Sequence, residues 1–550
     1  MCNKGYLQSI LESINFAPME KVKSLFMVML VVWSPRIFSQ SDFPFALQLT
    51  HVEIPQLDGL HSYAFGESNG RYLIVGGRLD GLHARQPFNA FPQNQNNTEL
   101  RVIDPQMQQQ WMLDMSSLSA LLQEQLQSTN MCFDQRGDSL YVAGGYAYSN
   151  SAGDHITFPY LTALHVEEVI QGVIQGVLNT SSFRQVADER MAVTGGRLVH
   201  TGASFLLVGG HRFDGRYNPM GMPSYTQTYT NAIRRFNVIH EEEGLAITNF
   251  SEQVDEVNLH RRDYNLVPWL NSSENETHVI SSGVFQVNAD LPFLYPVEID
   301  GGEVLPQTGF NQYLSNYHCP TISLYDGIQT HALFFGGMSQ YYYSNGSLVQ
   351  DNQVPFVRTI SKLTRTTDGV YQEALMPVEM PGLKGAGAEF FLNSSLPISN
   401  NGVVRLDQIS DDTIHVGFIY GGILSGQLNP FSSNQTSVTS ADTVLYRVQL
   451  VRQPTGVHEV LPGQHGRGIR VFPNPIESVC YVEASAPFER ADYFLTDGMG
   501  RTIAQGSLSS LPLADGRFEL ELSDELPPQL VRLTVVFENR YYTTQTLVKL

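Results

Sequence analysis

The chain has 550 residues, with charged residues at only 16% and hydrophobic residues at 42%. That length allows more than one domain, and the apolar share is ample for a sizeable core. Its 54 Asp and Glu outnumber 33 Lys and Arg, a formal net charge of −21; with nothing to supply a basic stripe, this argues against a nucleic-acid or anionic-membrane partner.

In chain order, residues 1–40 come first and read as a secretory signal peptide. Lys21 and Lys23 precede the apolar run LFMVMLVVW at 25–33, and polar residues follow. A basic region, a short apolar region and a polar cleavage region in that order make such a signal. The run is too short for a permanent membrane anchor, and no later segment is long and apolar enough to span. Met19 is placed like a true start, and cleavage is expected between Gln40 and Ser41.

From residue 41 to 451 one phrase recurs: an apolar strand running into two glycines. It appears as YLIVGG (72–77), LYVAGG (140–145), FLLVGG (205–210), ALFFGG (332–337) and GFIYGG (417–422), with a degraded copy, HVISSG, at 278–283. Paired glycines at a strand end mark a tight turn or a close backbone approach. Six copies at comparable spacing are an internal repeat. Third strands are expected at 161–169, 232–239, 357–363 and 443–450.

In the first copy the Gly-Gly strand is followed by a polar loop and then LRVIDPQMQQQW (100–111), which supplies Val102, an Asp104-Pro105 turn and Trp111. This order of parts resembles the kelch repeat. The resemblance implies an all-β, six-bladed kelch-like β-propeller of four-stranded antiparallel blades. In each blade the inner strand precedes the Gly-Gly strand. The last repeat lacks an outer strand, which FALQLTHVEI (45–54) is expected to supply, removing an exposed sheet edge.

The connections after the Gly-Gly strands (78–98, 146–159, 211–230, 338–355 and 423–441) exceed the usual length of about 4–6 residues, and they are rich in Asn, Tyr, Gly and Ser. In a propeller they share one face with the starts of the inner strands. Two of them look alike: RLDGLHARQPFN (78–89) and HRFDGRYNPMG (211–221). Candidate ligand-binding residues are Arg78, Asp80, His83, His211, Arg212 and Asp214 from these loops. The inner strands add Arg262, Tyr264 and His318, with His61, His200 and Arg261 nearby in the pattern. Arginines, histidines and tyrosines converging on one mouth suit a carboxylate or a sugar.

Signals for metals and nucleophiles are poor: HExxH, CxxC pairs and a P-loop are all absent from the sequence. Asp407, Asp411 and Asp412 cluster without calcium-loop spacing. No cofactor and no catalytic residue is assigned. Cys132, Cys319 and Cys480 are widely separated and read as buried free thiols rather than a disulfide framework.

Residues 452–470 hold two prolines and four glycines without apolar periodicity and read as a linker. Residues 471–550 change style to short alternating strands, the pattern of a small Ig-like β-sandwich. VFPNP (Pro473, Asn474, Pro475), then TDGMGRTI (Gly498, Gly500, Arg501) and a last strand holding Lys549 follow in order. This set resembles the type A C-terminal sorting domain of type IX secretion. The resemblance implies passage through the periplasm, recognition by the outer-membrane translocon, and a secreted or surface-attached bacterial protein.

Two functions fit these residues. One is a non-catalytic binding protein whose propeller face takes a glycan or a protein partner. The other is a sugar-active enzyme, a mutarotase, epimerase or lyase, with an Arg/His/Glu set at the channel mouth. The balance leans away from an enzyme.

Overall fold

The computed structural model describes residues 43–219, 224–242, 244–344, 346–453, 469–484, 491–497, 502–507, 517–523, 526–537 and 541–550. The signal peptide with Met19 and the Gln40–Ser41 cleavage point, the linker over 454–468, and Gly498, Gly500 and Arg501 lie outside the described residues. Among the described residues no helix is long and apolar enough to cross a membrane.

The repeat region is all-β. It forms six consecutive sheets, each with four antiparallel strands in the same up-and-down order; the fifth adds the short parallel strand Val404–Arg405 beside Thr321–Tyr325. The first sheet runs Ala64–Ser68, Arg71–Val75, Glu99–Asp104, Gln109–Asp114. The second begins at Cys132–Arg136, the third at Arg197–Thr201, the fourth at Asn265–Leu270 and the fifth at Thr321–Tyr325. The sixth runs Glu389–Leu392, Thr413–Tyr420, Leu445–Arg452, and takes Phe45–Val52 as its fourth strand. That N-terminal strand pairs antiparallel with Leu445–Arg452 over its whole length, Phe45 opposite Arg452 and Val52 opposite Leu445.

The Gly-Gly phrase has a physical cause. The N–H of each second glycine donates to a carbonyl of the next repeat: Gly77 to Ser128, Gly145 to Val193, Gly210 to Arg261, Gly283 to Asn316, Gly337 to Lys384, and Gly422 back to Leu60, all within 2.8–3.1 Å. The approach leaves no room for a side chain. A Cβ on Gly144 would lie 1.8 Å from the Val193 carbonyl oxygen, and its φ of 66° is in the left-handed region. The apolar residues before the glycines are buried on both faces because each sheet is covered by its two neighbours.

A second set of hydrogen bonds lies where the inner strands begin. Asn130 N–H donates to Ser62, Gly195 to Asn130, Asp263 to Gly195, His318 to Asp263, Gly387 to His318, and Ser62 to Gly387, at 2.7–3.2 Å. The six residues form a closed cycle, one from each sheet. The cores follow the same circuit. Leu73 and Val102 of the first sheet pack with Leu140 and Val142 of the second. Separate clusters join the second to the third, the third to the fourth, the fourth to the fifth and the fifth to the sixth. Tyr72 and Ile74 then close on Phe418, Tyr420 and Leu445 of the sixth.

One expectation needs correction, and the long connections prove to carry strands of their own. The third strand expected at 161–169 ends at His165, and Val166–Gln175 is an α-helix. Its buried Val166, Val169, Ile170 and Val173 recur at helical spacing, and Gly176 caps it in the left-handed conformation. The long connections are not structureless. They hold the hairpins Tyr146–Ser149/Asp154–Thr157, His211–Gly215/Tyr225–Tyr229 and Tyr341–Ser344/Ser347–Gln350. Leu383–Ala386, Ile423–Ser425 and Thr439–Ala441 make a further small sheet.

Cys132, Cys319 and Cys480 are free and buried, and burial pushes the Cys132 and Cys319 thiols up to about 12 and that of Cys480 up to about 11. Glu373, in an outer strand of the fifth sheet, is also buried. It accepts from Tyr313 N–H (2.8 Å) and Leu314 N–H (3.0 Å), the start of the segment that carries His318 inward. Burial outweighs these two bonds and pushes its carboxyl up to about 8. The folded protein therefore holds a proton that the unfolded chain releases near 4.5. This contribution to stability is complete below pH 4.5 and is lost as pH rises to about 8. The loss is on the order of a few kcal/mol. Denaturant midpoints measured from pH 4.5 to 8.5 are expected to fall, and Glu373→Gln should flatten that slope; a parallel slope in the variant contradicts the assignment.

The C-terminal region has two sheets. Ile469–Phe472, Val479–Ala484 and Arg517–Glu521 form one; Thr502–Ser507, Ala491–Asp497, Gln529–Phe537 and Tyr541–Lys549 form the other. Val471, Cys480, Val482 and Leu520 of the first share a core with Leu495, Val531, Leu533 and Leu547 of the second. Strand pairing thus extends into both ends of the expected linker, to Arg452 and from Ile469. Pro473 and Pro475 flank Asn474, whose amide donates to the Thr546 carbonyl (3.2 Å) while its oxygen accepts from Val548 N–H (2.9 Å). Lys549 is buried, and its ammonium donates to the Leu550 carbonyl. The VFPNP segment is therefore tied to the last strand.

Candidate functional site

Residues that follow a Gly-Gly pair return beside the residues that start an inner strand. Arg78 bridges to His61, Tyr146 to Thr129, His211 to Thr194 and Val284 to Arg262. Loop residues and inner-strand residues are thereby brought side by side, next to the hydrogen-bonded cycle.

Most of the expected arginines are already occupied. Arg78 is 2% exposed. It donates from Nε and Nη2 to both oxygens of Asp80 (2.8 and 2.6 Å) and from Nη1 to Asn96 (2.8 Å). Burial opposes ionisation of Asp80, but His61 and Arg78 outweigh it and hold its carboxyl down at about 2. Arg212, on the exposed hairpin, pairs with Asp214 and Glu189, each at 2.6 Å. Arg262 pairs with Asp263, donates from Nε to the Tyr229 hydroxyl (3.2 Å) and lies over Phe285. These three guanidinium groups brace loops, and none is held out for a ligand carboxylate. Arg261 is fully buried between Phe293 and Tyr295 and donates to the carbonyls of Asn258, Ser282 and Tyr295.

His211 is buried, with Nδ1 2.6 Å from the Gln227 amide, and burial first, then the Arg262 charge, holds it well below the usual histidine range. Tyr264 is a core residue whose hydroxyl donates to the Val208 carbonyl at 2.6 Å. His83 joins three loops. Its ring stacks on Phe91 at 4.7 Å and meets Tyr217 at 4.7 Å and Phe431 at 5.4 Å. Burial, aided by the Arg78 and Arg262 charges, lowers it to about 4 and keeps it neutral. Loops of the first, third and sixth sheets thus interlock on an uncharged imidazole. Beside it Phe213, Tyr225 and Tyr217 form a three-ring cluster, with centroids 4.6, 6.0 and 6.2 Å apart, in which Phe213 is buried and both tyrosines are half-buried.

A small cavity lies at the hydrogen-bonded cycle, lined by Ser62, Asn130, Gly195, Arg197, Asp263, Tyr264, His318 and Glu389 among others. His318 Nε2 is 2.9 Å from Glu389 Oε1, and Arg197 Nη1 reaches the same oxygen at 3.4 Å. Burial opposes the charge on Glu389, but the His318 and Arg197 charges outweigh it and hold its carboxyl below the usual range. Arg197 comes from the third sheet, His318 from the segment entering the fifth, and Glu389 from the sixth. Arg197 and Glu389 were missed in the sequence. Each stands two residues after a member of the cycle (Gly195, Gly387), a signal that only alignment of the repeats by that position exposes. The cavity volume is about 20 Å³, room for one water. At the far end of the inner strands, His200 Nδ1 lies 2.6 Å from Asp134, and that bond raises the imidazole's pKa.

No protein-family model matches the chain, and no curated protein matches it. A solved structure described as "Structure of YjhT" is similar over 57% of this chain and 84% of its own, at 10% identity and a TM-score of 0.34.

Proposed function

We propose that the six sheets are the blades of a kelch-like six-bladed β-propeller whose loop face binds a polar ligand, a glycan or a glycan-bearing protein partner. The closed hydrogen-bonded cycle supports the blade count. The observation that carries the binding reading is the pair of half-buried rings, Tyr217 and Tyr225, packed on the buried Phe213 beside interlocked loops. Partly exposed rings with polar neighbours suit the apolar faces and hydroxyls of a sugar. The cavity beneath is far below the roughly 300 Å³ of a small-molecule pocket, so the ligand lies on the loops rather than in the axis. Export through the type IX translocon, by way of the C-terminal sandwich, places this face outside the cell.

A glycan array probed with the exported chain tests the reading. Tyr217→Ala and Tyr225→Ala together should weaken binding at least tenfold, at about 1 kcal/mol per ring contact, while the melting temperature moves by a few degrees at most. Unchanged binding in the double variant removes the aromatic cluster from the site. A second reading, a sugar-active enzyme, is favoured by the convergence of Arg197, His318 and Glu389. It requires that Glu389→Gln abolish anomeric exchange or bond cleavage of the captured sugar, followed by NMR, without loss of binding.

A further inference from the structure

His61 and Ser62 lie just before the inner strand of the first sheet, and Asp80 follows that sheet's Gly-Gly pair. Ser62 Oγ lies 3.0 Å from His61 Nδ1. On the other side of the ring, His61 Nε2 lies 3.8 Å from Asp80 Oδ1 and has no hydrogen-bond partner. His61 is 5% exposed. Asp80 is fixed by both arms of Arg78. Ser62 lines the cavity and sits at φ 55°, a left-handed conformation. Its hydroxyl fills the space that a Cβ on Gly387 would take, 2.6 Å from that position. A buried imidazole between a hydroxyl and an anchored carboxylate is an arrangement for nucleophilic catalysis.

We propose that Ser62, His61 and Asp80 form a serine acyl-transfer relay for a small acyl ester, such as an O-acetyl group, presented from outside at the cavity opening, since the cavity itself has room for only one water. This goes beyond the binding function proposed above and stands on separate residues. The tautomer with hydrogen on Nε2 directs that hydrogen to Asp80 and leaves Nδ1 to accept the Ser62 proton. Ser62 Oγ attacks the ester carbonyl as its proton moves to Nδ1. Arg197 lines the same cavity and would supply positive charge to the oxyanion of the tetrahedral intermediate by turning from Glu389. Collapse breaks the bond to the alcohol oxygen, which takes the proton from His61. Water then attacks the acyl-serine, giving its proton to His61, and the carboxylic acid leaves as Ser62 regains a proton. The relay needs a neutral imidazole and an ionised carboxylate. Burial lowers the pKa of His61, and Asp80 is held at about 2, so both are in the required state at neutral pH. The 3.8 Å gap to Asp80 is the loose geometry expected before substrate binds.

The test is labelling of the exported protein by a fluorophosphonate probe, read by peptide mass mapping, with hydrolysis of p-nitrophenyl acetate alongside. One equivalent of label on Ser62 is expected. Ser62→Gly, which suits the positive φ, should take none at an unchanged melting temperature. His61→Gln should react at least 100-fold more slowly and Asp80→Asn at least tenfold more slowly. Absence of label on Ser62 in the native protein, or equal rates in native and His61→Gln proteins, overturns the relay. Either result is independent of glycan binding, so failure here and failure of the binding reading are distinguishable.

Discussion

Deletion of residues 43–54 is expected to unfold the repeat array. Phe45, Leu47 and Val52 of this strand are each at most 5% exposed. Burying a side chain of this kind is worth about 1.5–3 kcal/mol, so the three together contribute on the order of 6 kcal/mol. That is comparable to the roughly 5–15 kcal/mol by which a whole domain is stable. The deletion also uncovers the Leu445–Arg452 edge along eight paired residues, an open template for association with another chain. Gel filtration and thermal unfolding should show aggregation and loss of the cooperative transition. A monomer with an unchanged melting temperature would mean that the sixth sheet is stable without its N-terminal strand and that this pairing contributes little.

Deletion of residues 469–550 should leave the repeat array folded and stop its export. The sandwich has its own core, in which Val471, Val482, Leu495, Val531, Leu533 and Leu547 pack with one another. If this region is the type IX sorting domain proposed above, the truncated protein is retained in the periplasm, a fall of at least tenfold in the extracellular fraction. Fractionation with immunodetection reads this directly. Export of the truncated chain at the native level would sink the sorting proposal. A narrower variant, Asn474→Ala, removes two hydrogen bonds between VFPNP and the last strand. It separates loss of the signal from loss of the whole domain.

The strands and their closure were legible in the sequence because their requirements are local and repeated. An apolar run followed by two glycines reports a strand covered on both faces and a backbone that no Cβ can occupy. The strand at 45–54 was assigned to the sixth sheet by the same logic: the last repeat was one strand short. The helix at Val166–Gln175 was missed because His165 passes directly from strand into helix, with the helical spacing of its valines hidden behind a strand-like start.

The candidate site was legible only as a list of residue types. Sequence reasoning placed Arg78, Arg212 and Arg262 together as ligand grips, whereas folding pairs them with Asp80, Asp214 and Asp263. It offered Tyr264 as a site residue, whereas the fold commits its hydroxyl to the Val208 carbonyl. Arg197 and Glu389 are 192 positions apart, and nothing in their local patterns says that they share a cavity. The sequence by itself therefore determined the recurring Gly-Gly strands, the all-β class and the pairing of the N-terminal strand with the last repeat. The physical reason is that backbone conformation and apolar spacing are short-range properties. Only the tertiary structure decided which charges are neutralised, which rings meet and which hydroxyl faces an imidazole. Those outcomes depend on which segments, distant in sequence, the fold brings together, and an ion pair or a relay exists only at a few ångströms.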